Sequence, residues 1–125
     1  FAHKSFKKGA IICRYIGDVL TTQQAIRLQD KSYLMRLGPQ CYIDSKQSYH
    51  CLARYINDCR NPDGYNVIFL KSMTEKCAYV IALRDILVGE ELFVDYGRWY
   101  WLLKPYSVLT TSELHKLLMN TKNIV

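Results

Sequence analysis

A single, mostly β domain with short helices, built from small curled antiparallel sheets, is the fold that the sequence predicts, and three observations predict it. Short apolar, β-branched or aromatic runs recur at close intervals along the chain. Turn residues separate them, at Gly17-Asp18, Gly38-Pro39 and Asn61-Pro62-Asp63-Gly64. Helical signals are confined to two places, so the strands do not alternate with long helices as a parallel βαβ layout requires.

The first strand is expected at Ala10 to Tyr15, with Val19-Leu20 resuming after the Gly17-Asp18 turn. Thr21-Thr22-Gln23-Gln24 offers a Thr-x-x-Gln capping box, and Ala25, Ile26 and Leu28 give a short amphipathic helix that fades by Lys31. Strands are expected again at Tyr33 to Leu37, Cys41 to Ile43, Val67 to Leu70, Tyr79 to Ala82 and Leu92 to Val94. Beyond Pro105 a second box, Thr110-x-x-Glu113, precedes Leu114, Leu117 and Leu118 on one face and predicts a C-terminal helix.

With 125 residues, 50% of them hydrophobic, the chain has material for one core, and a single domain over 1–125 is expected. No apolar run approaches the ~20 residues of a membrane helix, so no membrane partner is expected. The start, Phe1-Ala2-His3-Lys4, lacks the apolar stretch of a signal peptide. Cys13, Cys41, Cys51, Cys59 and Cys77 are odd in number and dispersed, with no spacing that closes a metal site. Free thiols in a reducing compartment, nucleus or cytosol, follow. Seventeen basic residues against eleven acidic ones give a net charge of +6, with Lys4, Lys7 and Lys8 clustered. That charge has two readings, solvated surface or contact with nucleosomal DNA.

Two segments carry the chemistry. Arg54-Tyr55-Ile56-Asn57-Asp58 resembles an R-F-I-N-H run, and Glu91-Leu92-Phe93-Val94-Asp95-Tyr96-Gly97 resembles an E-L-x-x-D-Y-G run. Gly9 to Gly17 matches G-x-x-[VI]-x-E-Y-x-G, and Tyr33-Leu34-Met35 matches a Y-x-F/M strand. Four short motifs in this order resemble the SET-domain protein lysine methyltransferases, whereas any one alone is a weak signal. The resemblance implies the SET fold with its pseudoknot, in which the Asn57 segment threads under the strand ending at Tyr96.

It also implies an S-adenosylmethionine-dependent protein lysine N-methyltransferase of the nucleus, acting on histone tails or another protein lysine. In that family Tyr96 matches the tyrosine beside the transferred methyl, and Tyr15 matches a tyrosine lining the same lysine channel. Methyl transfer to an amine is one in-line displacement, so the protein supplies alignment and a dry channel; phenols bring apolar walls and one uncharged polar atom. Tyr65 or Phe69 falls near the position that controls the number of methyl groups. Tyr33, Arg54, Tyr55 and Asn57 match cofactor-binding positions, and Asn57 brings an amide that both donates and accepts.

The sequence departs from the family at three places. The G-x-G run that precedes the F-A position is expected to lie before Phe1. Asp58 stands where the family has His, and is expected to accept a hydrogen bond on the cofactor side. Arg14 replaces the Glu of E-Y-x-G. No cysteine follows Cys77, so a zinc-binding tail is not expected within this sequence. Residues 98–125 are therefore expected to supply a lid and helix, with Trp101 stacking on the adenine. The competing reading is a SET-like module that binds peptide or chromatin without catalysis.

Overall fold

The computed structural model describes residues 1–102, 110–113 and 116. Among these residues seven strands form two sheets. β1 (Ile11–Tyr15), β5 (Val67–Ser72), β6 (Cys77–Ala82) and β7 (Val94–Leu102) make a four-stranded sheet in the order β1-β6-β5-β7. β2 (Asp18–Leu20), β3 (Leu34–Gly38) and β4 (Cys41–Asp44) make a three-stranded antiparallel sheet in the order β2-β4-β3. Each expected strand lies within a few residues of its sequence signal.

All six residues of β5 are buried. Its side chains alternate between two apolar clusters, Val67 and Phe69 on one face and Ile68 and Leu70 on the other, as the two-residue strand period dictates. The adjoining β6 does the same, with Val80 facing the first cluster and Ile81 the second. A strand covered on both faces reads as a continuous apolar run, which is how Val-Ile-Phe-Leu reads in the sequence.

The short helix α1 (Thr22–Ile26) begins at the expected box, Thr21 Oγ1 accepting from Gln24 N–H at 3.3 Å and Gln24 Oε1 from Thr21 N–H at 2.8 Å. Lys31 closes it by donating to the carbonyls of Ile26 and Leu28. The Thr110–Glu113 box also forms, and Thr111 to Glu113 and Lys116 are helical. The leucines expected on that helix, Leu114, Leu117 and Leu118, lie outside the described residues. Gly17 is required by close approach, because a Cβ there would stand 2.3 Å from the Asp44 carbonyl oxygen.

Two expectations are corrected. The larger sheet is mixed, since β7 runs parallel to β5. The last strand, expected at Leu92 to Val94, starts at Val94 and continues to Leu102, so the residues assigned to a lid, Arg98 to Trp101, belong to the sheet. The reason is that β5 presents an edge rich in unpaired backbone groups, and the aromatic run after Gly97 has high strand propensity. Between its paired ends β7 is irregular: Val67 pairs with Val94 but Phe69 with Trp99, two steps along β5 against five along β7. Asp95 to Arg98 therefore bulge out of the ladder, and the bulge carries Tyr96.

Candidate functional site

Asn57 and Phe93, far apart in the chain, form a parallel bridge, and the Asn57 carbonyl accepts from Val94 N–H at 3.0 Å. Asn66, 1% exposed, braces this crossing: its amide donates to the Glu91 carbonyl at 2.9 Å and its oxygen accepts from Phe93 N–H at 2.8 Å. A fully buried amide satisfied at both ends fixes two backbone segments at once.

The crossing positions Tyr96. Its hydroxyl donates to the Ile56 carbonyl at 2.7 Å, and its backbone N–H donates to Asp58 Oδ2 at 3.1 Å. Asp58 Oδ1 accepts from the Tyr65 hydroxyl at 2.6 Å and from Arg60 N–H at 2.7 Å. The Tyr65 bond, then the two backbone donors, hold the Asp58 carboxyl below its usual range. The same bond pushes the Tyr65 phenol up to about 12. Burial and then the Asp58 charge push the Tyr96 phenol above its usual value.

A cavity of about 340 Å³ opens beside Tyr96 and is lined also by Tyr15, Phe69, Trp99, Arg54 and Lys71. Tyr15 is 6% exposed, its hydroxyl donates to the Tyr33 carbonyl at 2.5 Å, and its ring meets Phe69 edge-on at 6.0 Å. Burial, then Cys51, pushes its phenol far above the usual range. Both phenols are thus neutral and both have committed their protons to backbone carbonyls, which leaves oxygen lone pairs to accept from a ligand N–H.

The Arg54 guanidinium lies 4.2 Å from the centre of the Tyr33 ring and 4.9 Å from that of Tyr55. It donates to the Ser45 and Lys46 carbonyls at 2.6 and 2.8 Å, while its Nε is buried without a hydrogen-bond partner among the described residues. A second cavity, about 290 Å³, is lined by Tyr55, Asn57, Phe1, Phe6, Ile12 and Leu92. Ile56 lines both cavities, so the segment from Arg54 to Asn57 is the wall between them. Asn57 is exposed, and its side-chain amide makes no hydrogen bond among the described residues.

The structure therefore brings Tyr15, Tyr96 and Arg54 to one cavity and Tyr55 and Asn57 to the other, with Tyr33 packed against Arg54 and Tyr55. Asp58 turns toward Tyr96 and Tyr65, which engage both its oxygens. Trp101 lines neither cavity; Trp99, two residues earlier on β7, lines the first. Of the two methyl-number candidates, Phe69 stands against Tyr15 and Tyr65 is held by Asp58. Sequence reasoning missed Asn66, Trp99 and Lys71. The one available signal was a lysine ending the apolar run Val-Ile-Phe-Leu, a charge placed where a buried strand continues.

A family profile described as SET domain matches residues 1–97. N-lysine methyltransferase KMT5A-B of Xenopus laevis is 30% identical over 108 residues, a match covering 77% of this chain and 32% of that protein. Histone-lysine N-methyltransferase set1 of Dictyostelium discoideum is 30% identical over 104 residues, covering 77% of this chain and 7% of that protein. The chain thus spans a third or less of the length of these relatives. Among solved structures, CpSET8 from Cryptosporidium superposes with a TM-score of 0.62 at 25% identity, over 78% of this chain and 51% of that one. The matched residues hold both halves of the crossing, from Tyr15 through Asn57 to Tyr96, and on this ground the chain belongs to the SET-domain family.

Proposed function

We propose that this domain is an S-adenosylmethionine-dependent protein lysine N-methyltransferase acting on histone tails in the nucleus. One observation carries the reading: the Tyr15 and Tyr96 phenols share a cavity, each with its proton held by a backbone carbonyl. Such oxygens accept from a lysine amine without adding charge, and the rings of Phe69 and Trp99 give its stem an apolar wall. The names of the relatives support the reaction class, and the exposed Lys4, Lys7 and Lys8 suit an acidic surface such as nucleosomal DNA.

The residues fit the cofactor. Asn57 presents an uncommitted amide to the second cavity, and Arg54 keeps a buried donor without a partner beside Tyr33. Asn57, Tyr55, Tyr33 and Arg54 would hold the amino-acid and purine ends, and S-adenosylmethionine supplies the methyl group on a sulfonium. The chain's own residues then orient the amine, keep water out and stabilise its neutral form, the described residues placing no carboxylate in the lining of the first cavity.

The free edge of β3 favours a second reading, a peptide-binding module without catalysis, because an extended segment adds to such an edge whether or not chemistry follows. Calorimetric titration with S-adenosylmethionine, followed by a radiolabelled transfer assay on histones, separates the two. Saturable micromolar binding with label on lysine is expected; peptide binding without either leaves the module.

A further inference from the structure

The first cavity holds positive charge with no counter-charge among the described residues that line it. Lys71, on β5, is 8% exposed, and its ammonium lies 4.4 Å from the centre of the Trp99 ring. It makes no hydrogen bond or ion pair among the described residues. Arg36, exposed on β3, lines the same cavity, and its Nε donates to the Gly38 carbonyl at 3.3 Å. Among the described residues no Asp or Glu lines the cavity with them. Burial, and then the Arg36 charge, depress Lys71 to about 8.

An ammonium taken out of water without a counter-charge is costly, and a cation–π contact offsets only part of that cost. A nearby second cation makes the arrangement worse. The two charges become favourable together when an anion sits between them. The fold indicates where it comes from. Among the described strands β3 is an edge strand, and Leu34, Met35 and Arg36 on it all line the cavity. An extended segment laid along this edge sends alternate side chains to one side, so a lysine entering between Tyr15 and Tyr96 has neighbours two residues away on the same face.

We propose that Lys71 and Arg36 form an anion subsite of the first cavity, which receives an acidic side chain of the substrate, a carboxylate or a phosphate, two residues from the target lysine. The proposal rests on the reading that Tyr15 and Tyr96 receive that lysine. It makes substrate selection depend on local sequence: the phenols admit any lysine, and the subsite selects those with an anionic neighbour. Trp99 serves as the apolar floor that keeps the Lys71 ammonium at the cavity wall.

Fluorescence anisotropy with three labelled lysine peptides tests this, alike except for Glu, Gln or phosphoserine two residues to either side of the lysine. The wild-type chain should bind at least one anionic peptide about tenfold or more tightly than the Gln peptide, and the advantage should shrink with added salt. Glu alone identifies a carboxylate, and phosphoserine alone a phosphate. Lys71→Met should abolish the advantage of the anionic peptide over the Gln peptide. Arg36→Gln, at an exposed position, repeats the test if Lys71→Met does not fold. Equal affinity for all three peptides overturns the proposal, as does an advantage that survives both substitutions. Weaker S-adenosylmethionine binding by Lys71→Met with peptide preference intact also overturns it, because the anion is then the cofactor's carboxylate. Methyl transfer without any anionic preference removes the subsite and keeps the enzyme; preference without methyl transfer keeps the subsite and removes the enzyme.

Discussion

Asp58 accepts the backbone N–H of Tyr96 at 3.1 Å, across 38 positions of sequence. It stands where the resemblance places a histidine, and its other oxygen is taken by Tyr65 and Arg60. Tyr96 is thereby held at both ends by the two neighbours of Asn57, through its N–H by Asp58 and through its hydroxyl by Ile56. The segment from Ile56 to Asp58 and Tyr96 therefore form one hydrogen-bonded unit.

Replacing Asp58 by Ala should lower methyl transfer about tenfold or more while cofactor affinity changes less than about twofold, since Tyr96 loses its anchor and the second cavity is untouched. Its folded carboxyl is depressed. The stability it contributes is therefore fully present above the unfolded value of about 3.9 and is lost as pH falls through the lower, folded value. Chemical denaturation of wild type and Asp58→Asn should differ at pH 6 and converge in acid; a loss of cofactor affinity instead would return Asp58 to the cofactor side.

Tyr96→Phe keeps the ring and removes the bond to the Ile56 carbonyl together with the amine acceptor. A displacement of ~1 Å at a reacting centre can cost about a hundredfold in rate, so transfer should fall on that scale. Cofactor titration should be nearly unaltered. Full activity of the Phe variant would leave Tyr96 as packing only.

For Asn57→Ala the expected change is confined to the ligand, because the side chain has no hydrogen-bond partner among the described residues and the bridge to Phe93 is made by backbone. The cofactor dissociation constant should rise roughly tenfold at unchanged melting temperature. Thermal melting beside calorimetry reads both.

Lys71 titrates near 8 in the folded chain and near 10.4 unfolded, so between these values the unfolded chain binds more protons. Stability should rise with pH across that window, by an amount on the order of 3 kcal/mol. Lys71→Met should remove that rise. Denaturation midpoints of the two chains from pH 7 to 10.5 measure the difference, and parallel curves would place the ammonium in water.

Gly17→Ala puts a methyl group 2.3 Å from the Asp44 carbonyl oxygen and 2.8 Å from Ser45 N. Both contacts are backbone, which cannot rotate away, and overpacking of this kind costs about 1–3 kcal/mol. A lowered melting temperature with secondary structure retained is expected.

What the sequence by itself determined is local. The capping boxes at Thr21 and Thr110 rest on partners three residues away, and the turn at Gly17 and the order of strands were readable from residue type. The four motifs in order were enough to indicate the SET family, because four short motifs sharing one order are specific where any one alone is weak. The tertiary structure alone decided how those pieces meet. The parallel pairing of β7 on β5, the bulge from Asp95 to Arg98, the partners of Asp58 and the burial of Lys71 beside Trp99 all depend on contacts between distant segments. Such contacts leave no periodicity in the chain, since the energy of a backbone edge or an unpaired ammonium depends on what folds against it. The sequence pointed to Trp101, whereas the register of β7 on β5 brought Trp99 to the first cavity.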